Sequence, residues 1–203
     1  MLRCSGEISG SAMLRVMLID EDDERRAILK GALADSGYDV IAQTSGTQGL
    51  HGAVTAASPD LIIIGTDSPS RDSLEDICSL SKNAPRPIVM FTHDGDGEKI
   101  REAIRSGVSA YVVDGLRGER VSHVIDVAIA HFEAHQALKE EVEDLQTKLA
   151  ERKIVERAKG ILMQKKNYGE EEAYRILRKM AMDRNMKLVQ VAEQLIEMAN
   201  LLI

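Results

Sequence analysis

The chain has 203 residues, 44% of them apolar, and a formal net charge of −7, enough to bury one sizeable core and a smaller module. No run approaches eighteen uninterrupted apolar residues, which argues against a membrane span, and the opening MLRCSGEISGSA has no apolar h-region, so it is not expected to act as a signal peptide. Cys4 and Cys78 are too few and too far apart for a disulfide framework or a metal knuckle, so a cytoplasmic, reducing location is expected.

Residues 1–13 are expected to form a disordered tail. LRVMLID, from Leu14 to Asp20, is an apolar run closing on acids, and a helical stretch follows through Leu29 and Leu33 to Ser36-Gly37. YDVIAQ, LIIIG, PIVMFT and AYVV recur as short strands, each separated by one helix-length segment. Runs that are apolar at nearly every position are buried on both faces, which predicts a parallel sheet with helices on either side. Five such units over residues 14–127 make a doubly wound α/β domain, whose site lies at the carboxyl ends of the strands. Those ends carry Asp20 and Glu21, then Gly65, Thr92 and Asp114.

The pattern resembles the receiver domain of bacterial response regulators, with Tyr111 at the position of an aromatic that the family uses in signalling. The resemblance implies a carboxylate nucleophile, acids holding Mg²⁺, a hydroxyl and a lysine. Here Gly65 stands in place of the nucleophile and has no side chain to attack with. Asp114 stands in place of the lysine, a negative charge where a transferring phosphoryl group needs a positive one. Asp67 belongs to the loop before Pro69, and its carboxylate is expected to miss the pocket. Asp20 and Glu21 remain as a weak Mg²⁺ pair or a solvated acid pair. The reading is a degenerate receiver site on a retained scaffold, with no cofactor, and a phosphotransfer enzyme or relay fails for lack of a nucleophile.

From about Glu119 the pattern turns helical and stays so. Leu138, Val142, Leu145 and Leu149 recur at steps of four, three and four, a seam that predicts a self-pairing coiled coil over residues 128–151. His135 sits on it as a tolerated polar residue; the five histidines show no metal-ligand spacing. Charge then changes sign. Residues 1–151 hold 15 basic and 26 acidic side chains, residues 152–187 hold 11 and 5, and residues 188–203 add only Glu193 and Glu197. An acidic body with one basic segment points to a polyanion at that segment.

Three helices are read in residues 152–203. The first continues the coiled coil to about Lys166 and stops at Asn167-Tyr168-Gly169. The second starts on Glu170-Glu171-Glu172, acids at the positive end of a helix dipole, and the third starts near Leu188. Arg152, Lys159 and Lys166 recur at sevens on one face, Tyr174 and Arg178 are neighbours on the second helix, and Lys187 opens the third. Arginine forks onto phosphate or a base edge, and tyrosine stacks on an exposed base, which suits an RNA loop better than a regular duplex.

R-x-x-V-E-R-A-K-G-I-L-M, E-E-A-Y-x-x-L-R-x-x-A-M and K-L-x-x-V-A resemble the ANTAR domain, an RNA-binding antitermination module. Receiver, coiled coil and ANTAR in this order are similar to antiterminators of the NasT and AmiR type. The resemblance implies a dimer that binds hairpin loops in leader mRNA, controls nitrate or nitrite assimilation genes, and is restrained by a nitrate-sensing protein partner. It sets Ala158, Lys159, Gly160, Arg178 and Lys187 at motif positions, gives the alanine and glycine to helix packing and leaves the basic residues to RNA, where Arg152, Lys166 and Tyr174 join them by their spacing and residue type. A DNA-binding response regulator is the alternative, although a second helix with an acidic start fits a groove poorly.

Overall fold

The computed structural model describes residues 13–47, 49–114, 118–166 and 168–201. The chain divides between His135 and Gln136 into two units. In the first, β1 (Arg15–Asp20), β2 (Asp39–Thr44), β3 (Leu61–Thr66), β4 (Ile88–Thr92) and β5 (Ala110–Val113) alternate with α1 (Asp23–Asp35), α2 (Leu50–Ala57), α3 (Arg71–Asn83) and α4 (Gly97–Ser106). All strand pairs are parallel, in the order β2-β1-β3-β4-β5. The doubly wound sheet expected from the sequence is present.

Alternation along the strands builds the two cores. Val16, Leu18, Leu61, Ile63, Val89 and Phe91 face α1, through Leu29 and Leu33, and the start of α5 (Gly118–Lys166), through Val121, Ile125 and Ala128. Met17, Ile19, Ile62, Ile64, Ile88 and Met90 meet Leu50 and Val54 of α2, Leu74, Ile77 and Leu80 of α3 and Ala103 of α4. Each fully buried Leu or Ile contributes about 1.5–3 kcal/mol over an exposed one, so a strand apolar on both faces is stable only between two helix layers. Strand order reverses between β1 and β3, the place where such sheets open a crevice. There the register pairs Asp20 with Gly65. That pairing positions the first candidate site.

The second unit holds the later part of α5 with α6 (Glu170–Asp183) and α7 (Leu188–Leu201). Small residues allow the helices to approach. Ala158, Leu177, Ala181, Val191 and Ala192 form the buried centre, and Ile154, Leu162, Met180, Leu195 and Ile196 close around it. Gly160 does not belong to that packing: a Cβ added there meets nothing within 4 Å. Here the sequence reading is corrected, because the small residue that the core needs on this turn is Ala158. An unrestrained glycine inside a helix costs entropy, so Gly160→Ala is expected to stabilise this unit by about 0.5–1 kcal/mol. Chemical denaturation followed by far-UV circular dichroism checks this; a destabilised variant reveals a contact beyond this chain.

Candidate functional site

At the strand ends, Asp20 is completely buried. Its partner is Arg25, one turn into α1. Arg25 Nε lies 2.8 Å from Asp20 Oδ2 and Nη2 2.8 Å from Oδ1, a two-pronged pair, while Nη1 lies 2.6 Å from Asp67 Oδ1. The hydrogen bonds that Arg25 donates to Asp20, foremost, raise the guanidinium pKa further, so it stays charged. The local fold aims this side chain. Asp22 caps α1 by accepting from the backbone N–H of Glu24 and Arg25, and the Asp22 N–H in turn donates to Asp20 Oδ1 at 2.9 Å. Held by those N–H groups, that of Arg25 first, Asp22 titrates below the ordinary carboxylate value.

Gly65 is where this arrangement makes its tightest demand. A Cβ built on it would fall on Asp20 Oδ2, 2.6 Å from Asp20 Cγ and 3.1 Å from Arg25 Nε. The Asp20 carboxylate occupies the space of a side chain at position 65. Asp67 departs from expectation. Its loop folds back so that the Thr92 hydroxyl donates to the Asp67 carbonyl at 2.8 Å, and its carboxylate reaches Arg25 although its side chain is 83% exposed. Thr92 also accepts from the Asp94 N–H at 3.1 Å and is buried.

The remaining expected residues disperse. Glu21 is exposed and borders a polar cleft of about 700 Å³ with Thr44, Gly65, Thr66, Ser68 and Asp76. Asp114, at φ 50°, turns to His93 Nδ1 at 2.6 Å, both side chains being mostly exposed. A second cation enters from α4 instead: Lys99 Nζ lies 2.7 Å from both Asp94 Oδ2 and Ser68 Oγ. Lys99, first, and Ser68 hold the Asp94 carboxyl far below the usual range. The Tyr111 hydroxyl donates to the Asp94 carbonyl at 2.9 Å, and burial pushes its phenol up.

Sequence reasoning missed Arg25, Asp94 and Lys99. Arg25 left a signal, since 25, 29 and 33 form one helix stripe whose other members are core leucines. A charged residue on an apolar stripe at a helix start faces the strand ends.

In the second unit, Arg152 of α5, Tyr174 of α6 and Lys187, just before α7, line one groove of about 360 Å³ with Lys148 and Val155. Three of the six residues expected on the RNA face therefore meet, drawn from separate helices. Tyr174 is 44% exposed, so its ring is available rather than core-packed. Arg178 is exposed one turn along α6 and does not line the groove; the Lys166 side chain lies outside the described residues.

Lys159 is not an open cation. It is 7% exposed, and its Nζ lies 2.9 Å from Glu156 Oε2 and 2.8 Å from Glu170 Oε1. Glu170, then Glu156, raise its pKa, and Lys159 lowers that of Glu170. This lysine ties α5 to the start of α6 and neutralises Glu156, an acid on the groove wall. Seven-residue spacing gave Lys159 the face of Arg152, but α6 packs over that part of it.

The response regulator receiver domain family matches residues 16–126, and the ANTAR domain family matches residues 143–196. The chain is similar to the Transcriptional regulatory protein PdtaR of Mycobacterium tuberculosis, 30% identical over 188 residues that cover 92% of each. It is also similar to the Nitrate regulatory protein of Klebsiella oxytoca, 43% identical over 61 residues, which are 30% of this chain and 15% of that one. Among solved structures, the signal receiver domain of a modulated diguanylate cyclase from Desulfovibrio desulfuricans matches with a TM-score of 0.53 at 19% identity. It covers 61% of this chain and 98% of that one. That likeness speaks for the fold alone. No helix among the described residues is long and apolar enough to cross a membrane.

Proposed function

We propose a function from this premise: the chain belongs to the response regulators that join a receiver domain to an ANTAR domain, a regulatory and non-enzymatic family. Our reading is an RNA-binding transcription antiterminator that engages hairpin loops of leader mRNA through its ANTAR unit. The groove shared by Arg152, Tyr174 and Lys187 carries it. Two cations beside an exposed aromatic ring offer phosphate contacts and a stacking platform together, the combination that single-stranded loops use. Arg178 extends this face along α6, and Lys159 acts as a positioning residue beneath it.

The domain division that accompanies the reading is a receiver at 14–127, a coiled-coil linker at 128–151 and the RNA-binding module at 152–203. Leu138, Val142, Leu145 and Leu149 are 45–60% exposed. That stripe supports pairing with a second copy along α5. Nitrate or nitrite assimilation genes as targets draw support from the likeness to the Klebsiella regulator, whose name is Nitrate regulatory protein; a nitrate-sensing protein as the restraining partner is part of the same reading.

Filter binding of one hairpin RNA against duplex DNA tests the function, with the hairpin expected to win. Arg152→Ala and Lys187→Ala should each lower the slope of log K against log salt by about 0.7. Tyr174→Ala should cost about 1–3 kcal/mol with the slope unchanged. Lys159→Ala should weaken binding without the loss of slope that a phosphate contact gives. A parent that prefers duplex DNA refutes the reading, and unchanged Arg152 and Lys187 variants move the RNA to another face.

A further inference from the structure

Membership of the receiver family implies a divalent cation beside Asp20 and Glu21, and the residues present do not fit one. Mg²⁺ requires several oxygen ligands in near-octahedral geometry. Asp20 already gives both carboxylate oxygens to Arg25, and Oδ1 also accepts from the Asp22 N–H. Asp67, the next carboxylate at this place, is turned onto the same guanidinium. Among the described residues no group of three acids, histidines or cysteines is placed to hold a metal.

We propose that Arg25 is the resident cation of this pocket, a tethered guanidinium standing between Asp20 and Asp67 and closing the strand ends to divalent metal and phosphoryl group alike. The charge arithmetic favours it. One guanidinium between two carboxylates leaves a net −1, and a fork matched to both oxygens of a carboxylate is the geometry arginine supplies and lysine cannot. The Asp20 carboxylate is buried completely, and an unpaired charge there is costly, so a cation beside it stabilises the ionised form. A tethered one cannot dissociate.

Gly65 completes the device. The carboxylate that Arg25 holds fills the space a side chain at 65 would need, so the missing acceptor and the internal cation are two sides of one packing solution. Restoring an aspartate at 65 alone therefore does not restore a receiver site. Arg25 must leave as well. The proposal concerns the receiver only and stands or falls independently of RNA binding.

The test is Mn²⁺ binding by the full-length protein, with the free ion measured by electron paramagnetic resonance. Arg25→Gln is expected to bind Mn²⁺ at least about tenfold more tightly than the parent, because a positive charge at contact distance is removed. Asp20→Asn added to Arg25→Gln should abolish that gain, which assigns it to this pocket and not to the acidic surface. Gly65→Asp added to Arg25→Gln should tighten binding further, whereas Gly65→Asp alone should not. If Arg25→Gln does not fold unaided, recovery of its circular dichroism on adding Mn²⁺ becomes the readout, and recovery is expected. A parent that binds Mn²⁺ as tightly as Arg25→Gln overturns the proposal. So does a gain that survives Asp20→Asn, or an unfolded Arg25→Gln that Mn²⁺ does not restore.

Discussion

A Gly65→Asp protein is expected to lose receiver stability rather than to gain a phosphoacceptor. The new Cβ lands on the Asp20 carboxylate, which cannot retreat without leaving Arg25 and the Asp22 N–H. Breaking a buried ion pair costs about 3–5 kcal/mol, and a second carboxylate beside the first adds repulsion. For a unit of this size that is a fall in Tm of roughly 10–20 °C. Hydrogen exchange at the β1 and β3 amides isolates the receiver's own transition. Gly65→Ala carries the same steric conflict without the charge and should show a smaller loss in the same direction. Mass spectrometry after acetyl phosphate and Mg²⁺ should find no adduct on either variant or on the parent. An unshifted transition together with an acyl phosphate at position 65 would sink this account.

The same residues show where sequence reading succeeds and where it stops. β3 was legible because LIIIG is apolar at every position and a strand buried on both faces has no other composition available. Gly65 is legible as a glycine where the receiver resemblance implies a carboxylate. Its packing role is not, because that role depends on β1 and β3 lying in register, with Asp20 opposite Gly65. The identity of a neighbour across a sheet is set by tertiary structure. Arg25 was hidden by the same limit, though its place on the stripe with Leu29 and Leu33 held a hint.

The ANTAR unit repeats the lesson in helices. Residues that share a face by spacing do so only until another helix packs on that face. Arg152 and Lys159 share one by their seven-residue interval, yet Arg152 opens onto the groove and Lys159 lies under the start of α6 between two glutamates. By sequence alone, the acidic start of α6 answers the helix dipole. One of its three acids, Glu170, has a specific partner in Lys159 as well. Periodicity located the helices and their cores, and pair geometry decided which cations remain open.

On the proposed pairing of two copies along α5, Leu145→Glu is expected to leave the protein a monomer. Leu145 is 56% exposed in a single chain, at the middle of a stripe with Leu138, Val142 and Leu149. Exposure makes the substitution harmless to a monomer, since a surface glutamate on a helix costs little. In a paired seam the same residue from each copy meets near the axis, so two carboxylates would be desolvated against each other. A defect that appears only on association is the signature of an interface residue. Light scattering should report the monomer mass while circular dichroism stays unchanged. RNA binding carries the larger consequence. If each ANTAR unit reads one loop, linking two units raises affinity for a two-hairpin RNA by about 10²–10⁴, and Leu145→Glu should forfeit that factor. Its affinity for a single hairpin should match the parent's, because the groove at Arg152, Tyr174 and Lys187 lies within one chain. A dimer that persists in Leu145→Glu places the interface elsewhere. A monomer that still binds two hairpins as tightly as the parent shows that the loops are read independently.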